Sequence, residues 1–411
     1  MLRFASALLL LALLLQVAAC DNPIGHEDRD PPRDLSAQET AVVEADRSFG
    51  LSLYSALQQE DPHDNLFISP LSVSMALGMT LNGAEGETFD DIATTLHLDG
   101  LSRAEINQGY RDLIDLLTEL DPRVTFQIAN AIWHRDTFDV DEDFLDTNRE
   151  YFDATVEALD FNSDEAVDRM NEWVDEQTNG RIPEIVEGPI DPQMMLYLMN
   201  AIYFQGDWMH PFDADNTEEA DFTRFDGSTT TVEMMHQDEA QEFAYFENDL
   251  MQMIDLPYGD SLFSMSIVLP KEDQTLETVV ADLDAATWQE WTDGLSPRRL
   301  FLEMPRFELE YEKSLIDVLD NLGLDSALDP GRSDFAGINP KASDLHISKV
   351  DHKTFLRVDE EGTEAAAATS VGMGVTSAPP VFRVDQPFFL TIREQHSGTI
   401  LFIGHVTDPN G

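Results

Sequence analysis

Hydrophobic positions along this chain recur with two different periods, and their mixture predicts an α+β fold. Ser36-Ala-Gln-Glu39 has the form of a capping box, and behind it Val42, Phe49, Leu53 and Leu57 fall on or near one helical face. Ser69-Pro70 predicts a second helix start, with serine as cap and proline in the first turn, where a missing N–H costs nothing. Met194–Phe204 is a nearly unbroken apolar run that predicts a central strand buried on both faces, although periodicity alone leaves a helix open. Met251–Pro257 and Leu262–Leu269 read as strands joined by the turn Tyr258-Gly-Asp-Ser261. Lys313–Leu324 reads as a helix closing near Gly323, and Phe388–Glu394 with Thr399–Val406 as a last hairpin around His396-Ser-Gly398. Strands and helices are intermixed without regular alternation, and no internal repeat or second domain boundary is visible.

One segment breaks the pattern. From Gly362 to Ala378 every residue except Glu364 and Met373 is small or β-branched, and no proline occurs before Pro379. Thr363, Ala365, Ala367, Thr369, Val371, Met373 and Val375 would share one face of an extended strand. Its glycines and alanines supply little β propensity, so composition alone also describes a flexible linker. A loop able to become a strand fits both properties.

Motifs on either side resolve the choice. Glu360, Gly362, Thr363, Glu364 and the run Ala365, Ala366, Ala367, Ala368 resemble the hinge of the serpins, the loop-inserting protease inhibitors. Phe382-Arg-Val-Asp-Gln-Pro-Phe-Phe-Leu-Thr-Ile392 resembles the C-terminal signature of that family. Asn65–Val73, Asn82-Gly-Ala, Phe126–Trp133, Asn171-Glu-Trp-Val, Thr178–Ile182, Met199–Trp208, Met304-Pro-Arg-Phe307 and His346–His352 are similar to further family motifs, in family order, from about Leu51 to Pro409. The resemblance implies a serpin fold of three β-sheets surrounded by about nine helices, with an exposed reactive-centre loop.

It also implies roles. A protease attacks the loop and forms an acyl-enzyme; the freed loop then enters the main sheet as a new strand and deforms the captive protease. A strand of some fifteen residues would carry it roughly 50 Å. Family spacing from Gly362 and from Pro387 converges on Thr376 as the attacked residue, with Ser377 after the scissile bond. No lysine or arginine lies between Arg357 and Arg383, so the expected partner is an elastase-like or subtilisin-like serine protease with a small apolar pocket. Met373 or Val375 is an alternative bait. Ser69, Ser72, Asn200 and His352 match the shutter, the polar cluster controlling strand opening; without the family each reads as a cap or a satisfied core group. Trp208, Arg306 and Glu360 match the breach, where the loop enters, and Arg306 replaces the usual lysine as the expected partner of Glu360. Asn171 and Trp173 lie on the helix that must yield during insertion. The alternative is a non-inhibitory serpin serving as a binding or structural surface module.

Composition sets the surroundings. Arg3, the leucine-rich stretch to Leu15 and Val17-Ala-Ala-Cys20 read as a signal peptide over residues 1–19, followed by a lipidated Cys20. Residues 20–35 then form an acidic, proline-containing tether, and 36–411 the serpin domain. Cys20 is the only cysteine, so no disulfide supports the fold. This predicts a membrane-anchored monomer of the cell envelope, facing the periplasm or the exterior. The chain carries 24 Lys and Arg against 80 Asp and Glu, a net charge of −56. That balance excludes nucleic acid as a partner and predicts adaptation to high salt, which screens self-repulsion. No zinc-protease, nucleophile-elbow, phosphate-loop or paired-cysteine metal motif occurs, so neither an enzyme nor a cofactor or metal is expected.

Overall fold

The computed structural model describes residues 33–118, 120–342, 344–363 and 379–411. Helix α1 (Ala37–Glu60) starts as its sequence demands: the Ser36 hydroxyl accepts from the Glu39 N–H, and the Glu39 carboxylate accepts from the Ser36 N–H. Its stripe of Val42, Phe49, Leu53 and Leu57 is buried. Arg33, expected in the tether, is docked on α1, with its guanidinium on the Glu39 carboxylate at 2.6 and 3.0 Å. Helix α2 (Pro70–Leu81) is capped by Ser69. Both helices lie against Ile400–Val406.

That strand belongs to a back sheet ordered Leu66–Ile68, Ile400–Val406, Phe388–Glu394, Phe263–Pro270, Met251–Tyr258, Gln241–Glu247 and Ser296–Pro305. The last of these serves two sheets. Ser296–Leu300 pairs with Gln241–Tyr245, whereas Phe301–Glu303 pairs with Val381–Arg383 and Glu303–Pro305 with Met234–His236. The connected strands therefore form two of the three expected sheets.

The front sheet positions the site. Strand β1 (Val124–Arg135) is flanked by the parallel β2 (Thr155–Leu159) and the antiparallel β3 (Leu196–Asp207). A separate ribbon joins β4 (Phe307–Ser314) to β5 (Asp351–Val358). A short β6 (Gly362–Thr363) pairs with the end of β3. Helix α3 (Asp164–Gln177) covers the outer face with its own apolar cluster, which includes Trp133, Met170, Trp173, Val186, Met199 and Ala201. This cluster is separate from the main core beneath the sheet.

Two expectations need correction. The apolar run at 194–204 becomes β3, but Leu196, Leu198, Asn200 and Ile202 are only half-buried. These residues share the core-facing side, and among the described residues only Gly362 and Thr363 pair with the edge of β3 away from β1. Lys313 and Ser314 end β4 opposite His352 and Asp351, and the helix spans only Ile316–Asn321. Period-two burial of Phe307 and Leu309 carries the strand past the expected helix start. The described residues hold ten α-helices, in keeping with the expected number of about nine. None is long and apolar enough to cross a membrane.

Candidate functional site

Strands β3 and β5 border each other without pairing, so the front sheet is parted. The resulting cleft holds about 750 Å³, counted to its open mouth. Asn200–Phe204 and His352–Arg357 form its walls; Phe67, Ile392 and Phe402 approach from the core, and Ile182 and Ile185 from the segment after α3. Two facing strands that do not pair with each other are a template for another strand.

The chain after β5 already turns into this cleft. The Trp208 N–H donates to the Glu361 carbonyl at 2.8 Å, the Trp208 indole N–H to the Asp359 carbonyl at 3.0 Å, and the Asp359 N–H to the Gly362 carbonyl at 3.0 Å. Gly362 and Thr363 then run antiparallel to β3, opposite Asp207 and Gly206. Only glycine fits at 362: its φ is +149°, and a Cβ would lie 2.2 Å from the Gly206 carbonyl oxygen. The Thr363 hydroxyl lies 3.0 Å from the Tyr258 hydroxyl, both buried, and the Tyr258 ring stacks on Trp208 at 4.4 Å. Tyr258 read in sequence only as the start of a turn; nothing there announced its place at the cleft entrance.

Acidic groups surround the entry. Burial holds the Asp207 carboxyl above its usual range. Burial, reinforced by Asp359, Asp207 and Glu360, does the same for Glu361. The buried Glu360 carboxylate accepts from the Thr217 hydroxyl at 2.6 Å, and its carbonyl from the Phe212 N–H. The expected Arg306–Glu360 pair is absent. Arg306 follows the strand shared by two sheets; its N–H donates to the Glu233 carbonyl and its guanidinium lies 3.7 Å from the Glu233 carboxylate. That backbone bond aims the half-exposed arginine along the third sheet, away from Glu360.

At the other end of the cleft, the Ser69 N–H donates to His352 Nε2 at 3.0 Å and the Ser69 hydroxyl to the Leu401 carbonyl. The Ser72 hydroxyl donates to the Asn200 carbonyl at 3.4 Å. The Asn200 amide instead reaches Asn130 Oδ1 on β1 at 2.9 Å, and Asn130 continues to the Phe152 carbonyl. The start of α2 thus links the two walls, with Ser69 on His352 of β5 and Ser72 on Asn200 of β3. Asn130 was missed, although it lies within a recognised motif. Asn200 Oδ1 is buried without a hydrogen-bond partner among the described residues. Burial holds the His352 imidazole at a pKa of about 4.

Helix α3 is clasped to the segment that covers the cleft. Asn171 Oδ1 accepts from the Ile185 and Val186 N–H groups, and its amide donates to the Val186 carbonyl. Trp173 packs edge-on to Trp133 at 5.8 Å. Cys20, Glu364, Ala365, Ala366, Ala367, Ala368, Met373, Val375, Thr376 and Ser377 lie outside the described residues.

The family described as serpin (serine protease inhibitor) matches residues 44–409, and the chain belongs to it. It is not an enzyme. The chain is 35% identical over 379 residues to the leukocyte elastase inhibitor of Equus caballus, covering 89% of this chain and 98% of that one. It is 36% identical over 381 residues to an uncharacterised serpin-like protein of Thermococcus kodakarensis, with coverages of 90% and 87%. Among solved structures, human thyroxine-binding globulin complexed with thyroxine superposes with a TM-score of 0.82 at 29% identity, covering 91% of this chain and 100% of that chain. The thermophilic serpin tengpin in its native state gives 0.81 at 28% identity, with coverages of 94% and 97%.

Proposed function

We propose that this protein inhibits a serine protease with a small apolar specificity pocket by covalent trapping, with attack at Thr376 and insertion of the loop between β3 and β5. The observation that carries this reading is the seating of Gly362 and Thr363 on β3, at the entrance of the cleft between the unpaired strands β3 and β5. The Thr363 side chain faces the core, so alternation would direct Ala365, Ala367 and Thr369 inward, where small side chains slide without widening the gap. Glu360, Trp208 and Tyr258 anchor the entrance, and Ser69, Ser72, Asn200 and His352 govern the far end. The leukocyte elastase inhibitors among the relatives favour the same protease class.

Incubation with elastase, subtilisin and trypsin tests the reading. A denaturant-stable adduct with the first two, joined through Thr376, is expected. Cleaved chain alone with every protease would replace it with the non-inhibitory alternative. We also propose that residues 1–19 direct export and that lipidated Cys20 tethers the inhibitor to the cell envelope. The mass of the mature N-terminus tests this, an unmodified cysteine overturning it.

A further inference from the structure

We infer that Tyr258 is a positioning residue for inhibition: its buried hydroxyl holds Thr363 in the sheet before any protease arrives, so that insertion starts from a strand already begun. This rests on the trapping reading above, but the contact exists in the uncut chain and can be measured without a protease.

Tyr258 ends the Met251–Tyr258 strand of the back sheet and forms an isolated bridge with Trp208 at the top of β3. Its ring is fixed on three sides. Trp208 stacks on it, Phe204 meets it edge-on at 5.0 Å, and the bare Cα of Gly206 lets the β3 backbone close over it. A Cβ at Gly206 would come within 3.0 Å of the ring. The phenol cannot swing aside, and its hydroxyl is fully buried with Thr363 Oγ1 as its hydrogen-bond partner. Withdrawal of the hinge would strand a buried hydroxyl, which opposes withdrawal. Burial also pushes the Tyr258 hydroxyl far above the ordinary tyrosine range, so it stays a neutral hydroxyl able to donate or accept.

The consequence concerns a race. After acylation, the inhibitor is consumed as substrate if deacylation precedes insertion. Starting a strand is the slow part of adding one, because the first pair must be ordered before neighbours reward it. A first pair held in place by Tyr258 removes that delay. Tyr258 therefore governs the division between trapping and turnover, not the rate at which the protease first attacks the loop.

Tyr258→Phe, Thr363→Val, Thr363→Ser and the Tyr258→Phe/Thr363→Val double variant test the inference. Hydrogen exchange of Asp359–Thr363 in uncut protein is read first. Both single variants should exchange at least threefold faster than wild type, with no further gain in the double variant and near-normal protection in Thr363→Ser. Unchanged exchange in Tyr258→Phe, or independent effects that multiply, overturns the latch. With a protease that wild type traps, Tyr258→Phe should raise the moles of inhibitor consumed per mole of protease at least twofold. The rate of first loop attack should be unchanged. An unaltered or lower ratio also overturns the inference. If wild type traps no protease, the parent reading fails and exchange alone decides the latch.

Discussion

Ser69 donates its backbone N–H to Nε2 of His352, joining the cap of α2 to the start of β5 across 283 residues of sequence. The bond requires an unprotonated Nε2, and burial agrees by lowering the pKa from 6.5 to about 4. The unfolded chain therefore binds the extra proton between these values. Stability from this site is complete above pH 6.5 and is lost as pH falls toward and through 4. At pH 5 the loss is about 2 kcal/mol. Denaturant unfolding of wild type and His352→Gln at pH 7 and pH 5 should show a smaller acid loss in the variant, whose amide oxygen can still accept from Ser69. His405, also held at about 4 by burial, contributes acid sensitivity to both proteins and cancels in the comparison. Equal pH dependence would remove His352 from the account.

Thr363 is 5% exposed and faces Tyr258, so arginine there would bury a charge without a partner. Thr363→Arg should convert the inhibitor into a substrate, giving cleaved chain in place of a denaturant-stable adduct. Ala367→Pro should do the same by removing a backbone donor from the inserting strand. Gel electrophoresis after mixing with a trapped protease reads both. Undiminished adduct in the two variants contradicts the insertion route.

Asn200 Oδ1 on the cleft wall is buried without a hydrogen-bond partner among the described residues. Carrying the register of β6 along β3 one residue at a time brings Thr369 opposite Asn200 on the same face. A threonine hydroxyl arriving there would donate to that oxygen. Cleavage of the loop should raise the melting temperature strongly in wild type. Thr369→Val should lose about 1 kcal/mol of the stability gained on cleavage, with the uncut form unaffected. Calorimetry of cut and uncut protein measures the difference; equal gains would show a different register.

A net charge of −56 predicts dependence on salt. Many of the ion pairs engage partly exposed side chains, among them Lys341–Asp139 and Arg149–Asp146, and compensate little of the surplus. Dialysis from about 1 M to about 0.05 M salt lengthens the Debye length several-fold. The melting temperature should fall by roughly 5 °C or more. A transition indifferent to salt would refute the halophilic reading.

The sequence carried the local devices of this fold well. The Ser36–Glu39 capping box, the Ser69-Pro70 helix start and the final hairpin need only neighbouring residues, and they form where patterning put them. Gly362 stood out in sequence only through the resemblance to a hinge; the reason for glycine there, contact with Gly206 more than 150 residues away, was not legible. Arg306 shows where motif matching stops. Its charge suits Glu360, but a backbone bond to Glu233 directs the side chain elsewhere.

Family could be read from motifs in order along the chain, and helix starts, strands and hairpins from capping, alternation and turn chemistry, which act over a few positions. Tertiary structure alone decided that β3 and β5 stand apart, that Tyr258 meets Thr363, and that Asn200 turns to Asn130. Those relationships join segments distant in sequence. They depend on how sheets twist past one another and on which backbone groups find partners, quantities that no local pattern contains.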